Sequence, residues 1–363
     1  MITTILIAHI YKPGSAATNR IWAYAKSYRE LGQDVILVLG SRSEFIITEP
    51  QGVEIVSCVG KNVNRLMAKE IKSRYTPGMA IQIYGTPGLC WYLPKNKFPI
   101  FCEYTEVPFY GHKKTIVSII KESLKLWLTK RTKGLFVISE SLKDYYNRNG
   151  FQSVEIINMF VDPSRFIDNQ KEDGRYIAYC GKISYFKDGV DSLIKAYKLF
   201  SQDYPDYKLK IIGGFETLET EAKLKELVKS LGLSNLVEFT GKVSPDCMPS
   251  LLCGATILAL ARPNNEQAKY GFPTKLGEYL STGKPVVVTE VGELNHFLTD
   301  KHNCIFAKPD DHVDFYKSLK WTMENYQEAL EIGKMGQKLT LSAFSSKVQC
   351  ERAINFMNSV FEN

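Results

Sequence analysis

The sequence predicts two doubly wound α/β domains, each built on a parallel sheet, facing each other across a cleft. Three observations predict this. The chain has 363 residues, enough for two domains of roughly 150 residues each. Hydrophobic residues make up 44% and charged residues 23%, an ordinary globular composition that excludes a collagen-like or largely disordered chain. Apolar runs of strand length alternate with longer stretches of helical periodicity along almost the whole sequence, as parallel strands joined by crossover helices require.

In the first half, strands are expected at Thr4 to His9, Asp34 to Leu39, Val53 to Cys58, Ala80 to Tyr84, Ile100 to Glu103 and Gly134 to Ser139. The opening MITTILIAHIYKPG has no basic segment and runs into a Pro-Gly turn rather than a small-residue cleavage site. It therefore reads as a first strand and not as a signal peptide. A second series starts at Tyr176 to Cys180 and continues with Lys208 to Ile212, Val237 to Thr240, Ala255 to Ala259 and Pro285 to Thr289. Between the series lies DNQKEDGR, Asp168 to Arg175, polar and turn-rich with nothing to bury. The boundary is placed there, giving domains 1–167 and 175–342. Residues 343–363, through Phe344, Ile354, Phe356 and Phe361, form a terminal amphipathic helix expected to pack back on the first domain. No apolar stretch approaches the roughly 18 to 20 residues of a spanning helix, so a cytoplasmic location is expected.

The eight cysteines are scattered without a C-x-x-C pair and read as buried reduced thiols rather than a disulfide or zinc framework. No H-E-x-x-H, Asp-x-Asp or G-x-S-x-G occurs, so neither a metal nor a serine nucleophile is expected. The net charge of +7 is compatible with nucleic acid, an anionic membrane or phosphate-bearing small molecules. It is concentrated in His112 to Lys133, where Lys113, Lys114, Lys121, Lys125, Lys130, Arg131 and Lys133 face one acid, Glu122. Ile116, Ile119, Ile120, Leu124, Trp127 and Leu128 give the segment helical apolar spacing. Two readings stay open: a helix making peripheral contact with an anionic membrane, or one with a core-facing stripe and a solvated basic face. No nucleic-acid motif accompanies the charge, so no nucleic-acid partner is expected.

The most informative segment is YGFPTKLGEYLSTGKPVVVTEVGE, Tyr270 to Glu293. Pro273 and Thr274 make a helix start, Leu276, Tyr279 and Leu280 an apolar face, and Gly283 an end before the next strand. A helix entered through Gly271, Phe272 and Pro273 offers backbone N–H groups to a phosphate or sugar hydroxyl. Glu278, one turn in, can accept from both hydroxyls of a ribose diol.

These residues resemble the family 4 retaining glycosyltransferases of GT-B fold, over nearly the full chain. Gly271, Phe272, Pro273, Lys275, Leu276, Glu278, Tyr279, Gly283, Lys284 and Pro285 match the family's segment, whereas Tyr270 stands where the family carries its first, sugar-facing Glu. The resemblance makes Glu278 the ribose ligand and Tyr270 to Lys275 donor-binding residues. Gly181-Lys182, followed by Lys187, resembles the pattern whose two cations bind the donor diphosphate, with Asp188 as one extra residue before Gly189. Positioned cations stabilise a departing diphosphate as its charge grows. Gly241 corresponds to a strand end lining the nucleobase pocket, and Gly14 and Ser15 to the small-residue loop after the first strand. Glu103 and Glu106 follow a strand of the first domain, where the family places an acid or His near the reaction centre.

The resemblance thus implies an acceptor-binding first domain and a nucleotide-sugar-binding second domain. It implies metal-independent transfer, with retention, from a nucleotide diphosphate sugar to a glycan or lipid-linked acceptor in cell-surface polysaccharide biosynthesis. A nucleotide-sugar epimerase of the same architecture and a non-enzymatic membrane-associated binding protein are the alternatives.

Overall fold

The computed structural model describes residues 1–13, 15–47, 52–95, 97–106, 116–167, 174–184 and 187–361. The chain divides into two compact units, one of residues Met1–Phe160 with Ser345–Asn363, the other Val161–Phe344.

Unit 1 carries a seven-stranded sheet in the order β3-β2-β1-β4-β5-β6-β7. Its strands are β1 (Thr4–Ile10), β2 (Asp34–Ser41), β3 (Glu54–Val59), β4 (Met79–Tyr84), β5 (Ile100–Tyr104), β6 (Gly134–Val137) and β7 (Val154–Ile156). All pair in parallel. Ile5, Leu6, Ile7 and Ala8 are consecutive and fully buried, because helices cover both faces of such a sheet and leave no polar side. The helices are α1 (Ala16–Glu30), α2 (Val63–Arg74), α3 (Ile116–Thr129) and α4 (Glu140–Arg148). Strand order reverses at β1, between β2 and β4, which marks the carboxyl ends of β1 and β4 as the place for a ligand.

Unit 2 repeats the plan. Its elements are α5 (Ser164–Ile167), β8 (Tyr176–Cys180), α6 (Val190–Asp203), β9 (Lys208–Ile212), α7 (Leu218–Ser230), β10 (Val237–Gly241), α8 (Met248–Cys253), β11 (Ile257–Leu260), α9 (Glu266–Tyr270), α10 (Lys275–Ser281), β12 (Val286–Thr289), β13 (Ile305–Ala307), α11 (His312–Glu324) and α12 (Tyr326–Thr340). The six strands run parallel in the order β10-β9-β8-β11-β12-β13. The reversal falls between β8 and β11.

The last helix, α13 (Ser346–Phe361), lies in unit 1 and buries Cys350, Ala353 and Met357 in the same core as Ile21, Tyr24 and Tyr28. Asn358 accepts from the Ile2 backbone at 2.8 Å and Gln349 from that of Asn158 at 2.9 Å. These bonds tie the two ends of unit 1 together.

Three expectations need correction. Residues 161–167, assigned to the first domain by sequence, pack in unit 2: Phe166 is buried, its carbonyl accepts from the Cys253 thiol at 3.6 Å, and Arg165 reaches the Pro245 carbonyl at 3.1 Å. The expected boundary stretch lies largely in 168–173, outside the described residues. Strands β7 and β13 were not expected; each has three residues and closes one edge of its sheet. Cys247 is exposed, whereas the other seven cysteines are buried as expected.

Candidate functional site

The loops at the carboxyl ends of β8, β9 and β10 are bonded to one another. The Gly181 N–H donates to Ile212 (2.9 Å), that of Ile183 to Gly214 (3.0 Å), and that of Gly213 to Gly241 (3.0 Å). Lys182 projects from this platform, well exposed, and pairs with Glu216 at 2.6 Å. Hydrogen bonds from Lys182 and Ser184 hold the Glu216 carboxyl below its usual range, and the Lys187 charge acts the same way. The loop ends at Gly189, φ +60°, where a Cβ would lie 1.8 Å from the Ala261 carbonyl oxygen. Only glycine permits that approach, and it presses the end of the loop against the end of β11.

Asp188, next to it, is the hub of the site. Its carboxylate is buried, accepts from the Tyr179 hydroxyl at 2.8 Å and from the Lys275 ammonium, and has Arg262 Nε at 3.9 Å. Burial alone would raise its pKa, but Lys275 and Arg262 more than reverse this and hold the carboxyl below its usual range. Lys275 Nζ also bonds the Tyr179 hydroxyl at 3.0 Å and lies 4.7 Å from the ring centre. Burial lowers the Lys275 pKa against the pull of Asp188. A Cβ on Gly181 would sit 2.4 Å from Lys275 Nζ, so the missing side chain is what lets the ammonium lie at the end of β8.

Glu278, partly exposed on α10, stands 3.7 Å from Arg165. Burial pushes its pKa up, opposed by Arg165 and Lys275. The Tyr279 hydroxyl accepts from Cys180 N at 2.6 Å, fixing α10 to β8. At the reversal between β8 and β11, Lys182, Lys187, Lys275 and Arg262 therefore stand against Glu216 and Asp188. That excess of cations suits a multiply charged anion.

The structure narrows the expected backbone cradle. The Gly271 N–H donates to Gln267 at 3.0 Å and ends α9, while Pro273 has no N–H to offer. The Phe272 ring is buried against Phe297 and Phe344, with centroids 5.7 and 5.5 Å away, so it anchors the segment. Thr274 is exposed at the start of α10, and Tyr270 is partly exposed at the end of α9 with Lys269 Nζ 5.6 Å from its ring.

In unit 1, Gly14 lies outside the described residues. Ser15 caps α1 by accepting from Thr18 N at 3.2 Å, and it also donates to the Thr18 hydroxyl at 3.1 Å. Thr18 in turn meets His9 Nε2 at 3.3 Å. His9 is buried, which lowers its pKa to about 4.

Glu103, expected on the acceptor side, is enclosed in the core of unit 1. It is 1% exposed, pairs with Arg20 at 2.6 Å, and accepts from Tyr24 (3.1 Å) and Gln82 (2.8 Å). Arg20 is equally enclosed, donating to the Asn158 and Ile157 carbonyls at 3.0 and 2.9 Å and lying 4.2 Å from the Phe160 ring. The Glu103 charge holds Arg20 above its usual pKa despite burial. Both carboxylate oxygens of Glu103 are committed within the core. Glu106, exposed just beyond β5, is the acid left at that strand end.

Sequence reasoning missed Tyr179, Arg262, Arg165 and Glu216, which carry no local motif. Asp188 showed only as an extra residue in a spacing.

A family model described as glycosyl transferases group 1 matches residues 161–339, nearly the whole of unit 2. Mannosylfructose-phosphate synthase of Agrobacterium fabrum is 25% identical over 178 residues, 48% of this chain and 38% of that protein. The chain spans less than half the length of the curated relatives it matches. Among solved structures, sucrose-phosphate synthase from Thermosynechococcus elongatus superposes with a TM-score of 0.77 at 13% identity, covering 99% of both chains. Anabaena HepE in complex with UDP-glucose gives a TM-score of 0.76 at 16% identity, covering 98% of this chain and 99% of that one.

Proposed function

The chain carries a glycosyl transferases group 1 domain within a GT-B fold, and on that premise we propose that it transfers a hexose from a nucleoside diphosphate sugar to an acceptor hydroxyl with retention. The observation that carries this reading is the cation cluster around Asp188 at the reversal between β8 and β11. A leaving diphosphate gains negative charge as the glycosidic bond breaks, and Lys182, Lys187 and Lys275 lower the barrier by meeting that charge. Asp188 and Tyr179 hold Lys275 in place, so no reorganisation is needed at the moment of bond cleavage. Glu278 accepts from the ribose hydroxyls, and the Arg165 guanidinium beside it favours the ionised form that does so.

HepE was solved with UDP-glucose, which makes UDP-sugars the first donors to test. The acceptor is a glycan or lipid-linked sugar of cell-surface polysaccharide synthesis at the cytoplasmic membrane face. Retention follows when the acceptor attacks on the leaving-group face and a phosphate oxygen takes its proton, and Glu106 is the acid retained on the acceptor side. The lysines do the work of a divalent ion, so no metal enters.

A thermal-shift screen of UDP- and GDP-sugars tests the reading. A donor at 100 times its Kd stabilises the folded state by about 2.7 kcal/mol. No shift with any nucleoside diphosphate sugar, or turnover that a chelator abolishes and Mg²⁺ or Mn²⁺ restores, overturns it.

A further inference from the structure

Helix α3 is turned inside out. Ser118, Glu122, Lys125 and Thr129 recur at helical spacing on one face, and that polar face meets the rest of unit 1. The Thr129 hydroxyl pairs with Tyr104 OH at 2.7 Å, Glu122 accepts from the Tyr145 hydroxyl, and Lys125 Nζ lies 4.2 Å from the centre of the Tyr104 ring. The apolar residues point the other way. Ile116, Val117, Ile119, Ile120, Leu124 and Trp127 are between 47% and 78% exposed, and at 3.6 residues per turn they span about 160° of the helix. Only Leu128 and Thr129 of this helix are buried, whereas a surface helix ordinarily turns such a stripe to the core. A core-facing stripe, one of the two readings the sequence left open, is thereby excluded.

The patch extends onto the neighbouring turn Pro87–Trp91, where Trp91 is 60% exposed and its ring lies 5.7 Å from that of Trp127. Arg131 fixes the two elements together through the Cys90 and Leu93 carbonyls at 3.2 and 3.1 Å. Exposed lysines flank these elements along the chain: Lys121 on the helix, Lys130 and Lys133 just after it, and Lys95 and Lys97 after the turn.

We propose that this face docks on the surface of an anionic phospholipid bilayer, with α3 parallel to the membrane and its apolar side in the headgroup–acyl boundary. An apolar face, an aromatic pair and exposed flanking lysines together match the chemistry of that surface. No described helix is long and apolar enough to cross a membrane, so the contact is interfacial. A second copy of the chain is a poor occupant, because a two-fold interface on this face would gather the exposed lysines of both copies at one seam.

The proposal rests on α3 and the neighbouring turn and survives or fails independently of the transferase reading. The test is co-sedimentation at low salt with phosphatidylcholine vesicles, with and without phosphatidylglycerol. Wild type should bind the anionic vesicles, release as salt screens the charge, and show a blue shift of tryptophan emission on binding. Ile120→Ser with Trp127→Ser should abolish binding while leaving the circular dichroism and donor-induced thermal shift unchanged. Lys121→Gln with Lys130→Gln should weaken partitioning by roughly 30-fold. Wild type remaining in the supernatant with unshifted emission overturns the proposal, as does wild-type binding by the serine variant. Sedimentation equilibrium showing a dimer that the serine variant dissolves also overturns it, and assigns the face to self-association.

Discussion

Replacing Lys275 by methionine tests the ion pair at the centre of the site. Asp188 is 2% exposed, and loss of the ammonium leaves it the Tyr179 hydroxyl at 2.8 Å and Arg262 at 3.9 Å. Breaking a buried pair from one side costs about 3–5 kcal/mol. Because Arg262 remains and methionine keeps the stem packed on Tyr179, the lower end, about 3 kcal/mol, is expected. Asp188→Asn alone strands two enclosed cations and should cost a similar amount. The double variant leaves only Arg262 without its counter-charge, so it should cost no more than Asp188→Asn alone, a coupling of about 3 kcal/mol. Trp321 is the one tryptophan of unit 2; with Trp22, Trp91 and Trp127 changed to Phe, its emission follows urea unfolding of that unit alone, with the slope m checked for constancy. Activity should separate from stability: Lys275→Met and the double variant should both lose about 100-fold or more in kcat/KM, the scale of one transition-state charge contact. Strict additivity of the two stability changes would refute the pairing, and recovery of activity in the double variant would refute the role of Lys275 toward the diphosphate.

Three further outcomes follow from the same geometry. Glu103→Gln should cost unit 1 about 3–5 kcal/mol by leaving Arg20 enclosed without its counter-charge, with kcat of the folded fraction unchanged; unchanged stability with a large loss of kcat would restore Glu103 to the acceptor side. His9, held at about pKa 4, stays neutral in the folded chain while the unfolded chain takes up a proton below about pH 6.5. Unit 1 should therefore lose about 3 kcal/mol between pH 6.5 and 4, a loss that His9→Gln flattens; an identical pH profile in that variant refutes it. Lys182→Ala, at an exposed position, should leave stability within about 0.5 kcal/mol and lower kcat/KM by roughly 100-fold in the presence of EDTA; wild-type turnover would remove Lys182 from the site.

The sheets were legible because strands buried on both faces must be continuously apolar. Tyr176–Cys180, buried throughout, occupies the expected residues. Strands β7 and β13, with three residues each, are too short to show any period. The boundary was misplaced for a different reason. A polar stretch marks where the chain has nothing to bury, but the two cores part ahead of it, at Phe160, and the short segment between carries Phe166, which unit 2 buries.

The site was legible only where its chemistry is local. Lys182, Lys275 and Glu278 stand in short motifs, and each is found at the end of β8 or on α10. The role of Asp188 depends on Lys275, 87 residues on, and that of Glu103 on Arg20, 83 residues before it. A carboxylate just after a strand reads the same whether its partner is a substrate or a buried guanidinium. Helix α3 shows the limit most sharply, because its periodicity fixes two faces without fixing which one meets the protein. Hydrophobicity alone would turn Ile120 and Leu124 inward; Tyr104 and Tyr145, on a strand and a helix of the same unit, instead engage Thr129, Lys125 and Glu122. The polar partners decide the orientation, and the apolar face is left for a surface outside the chain.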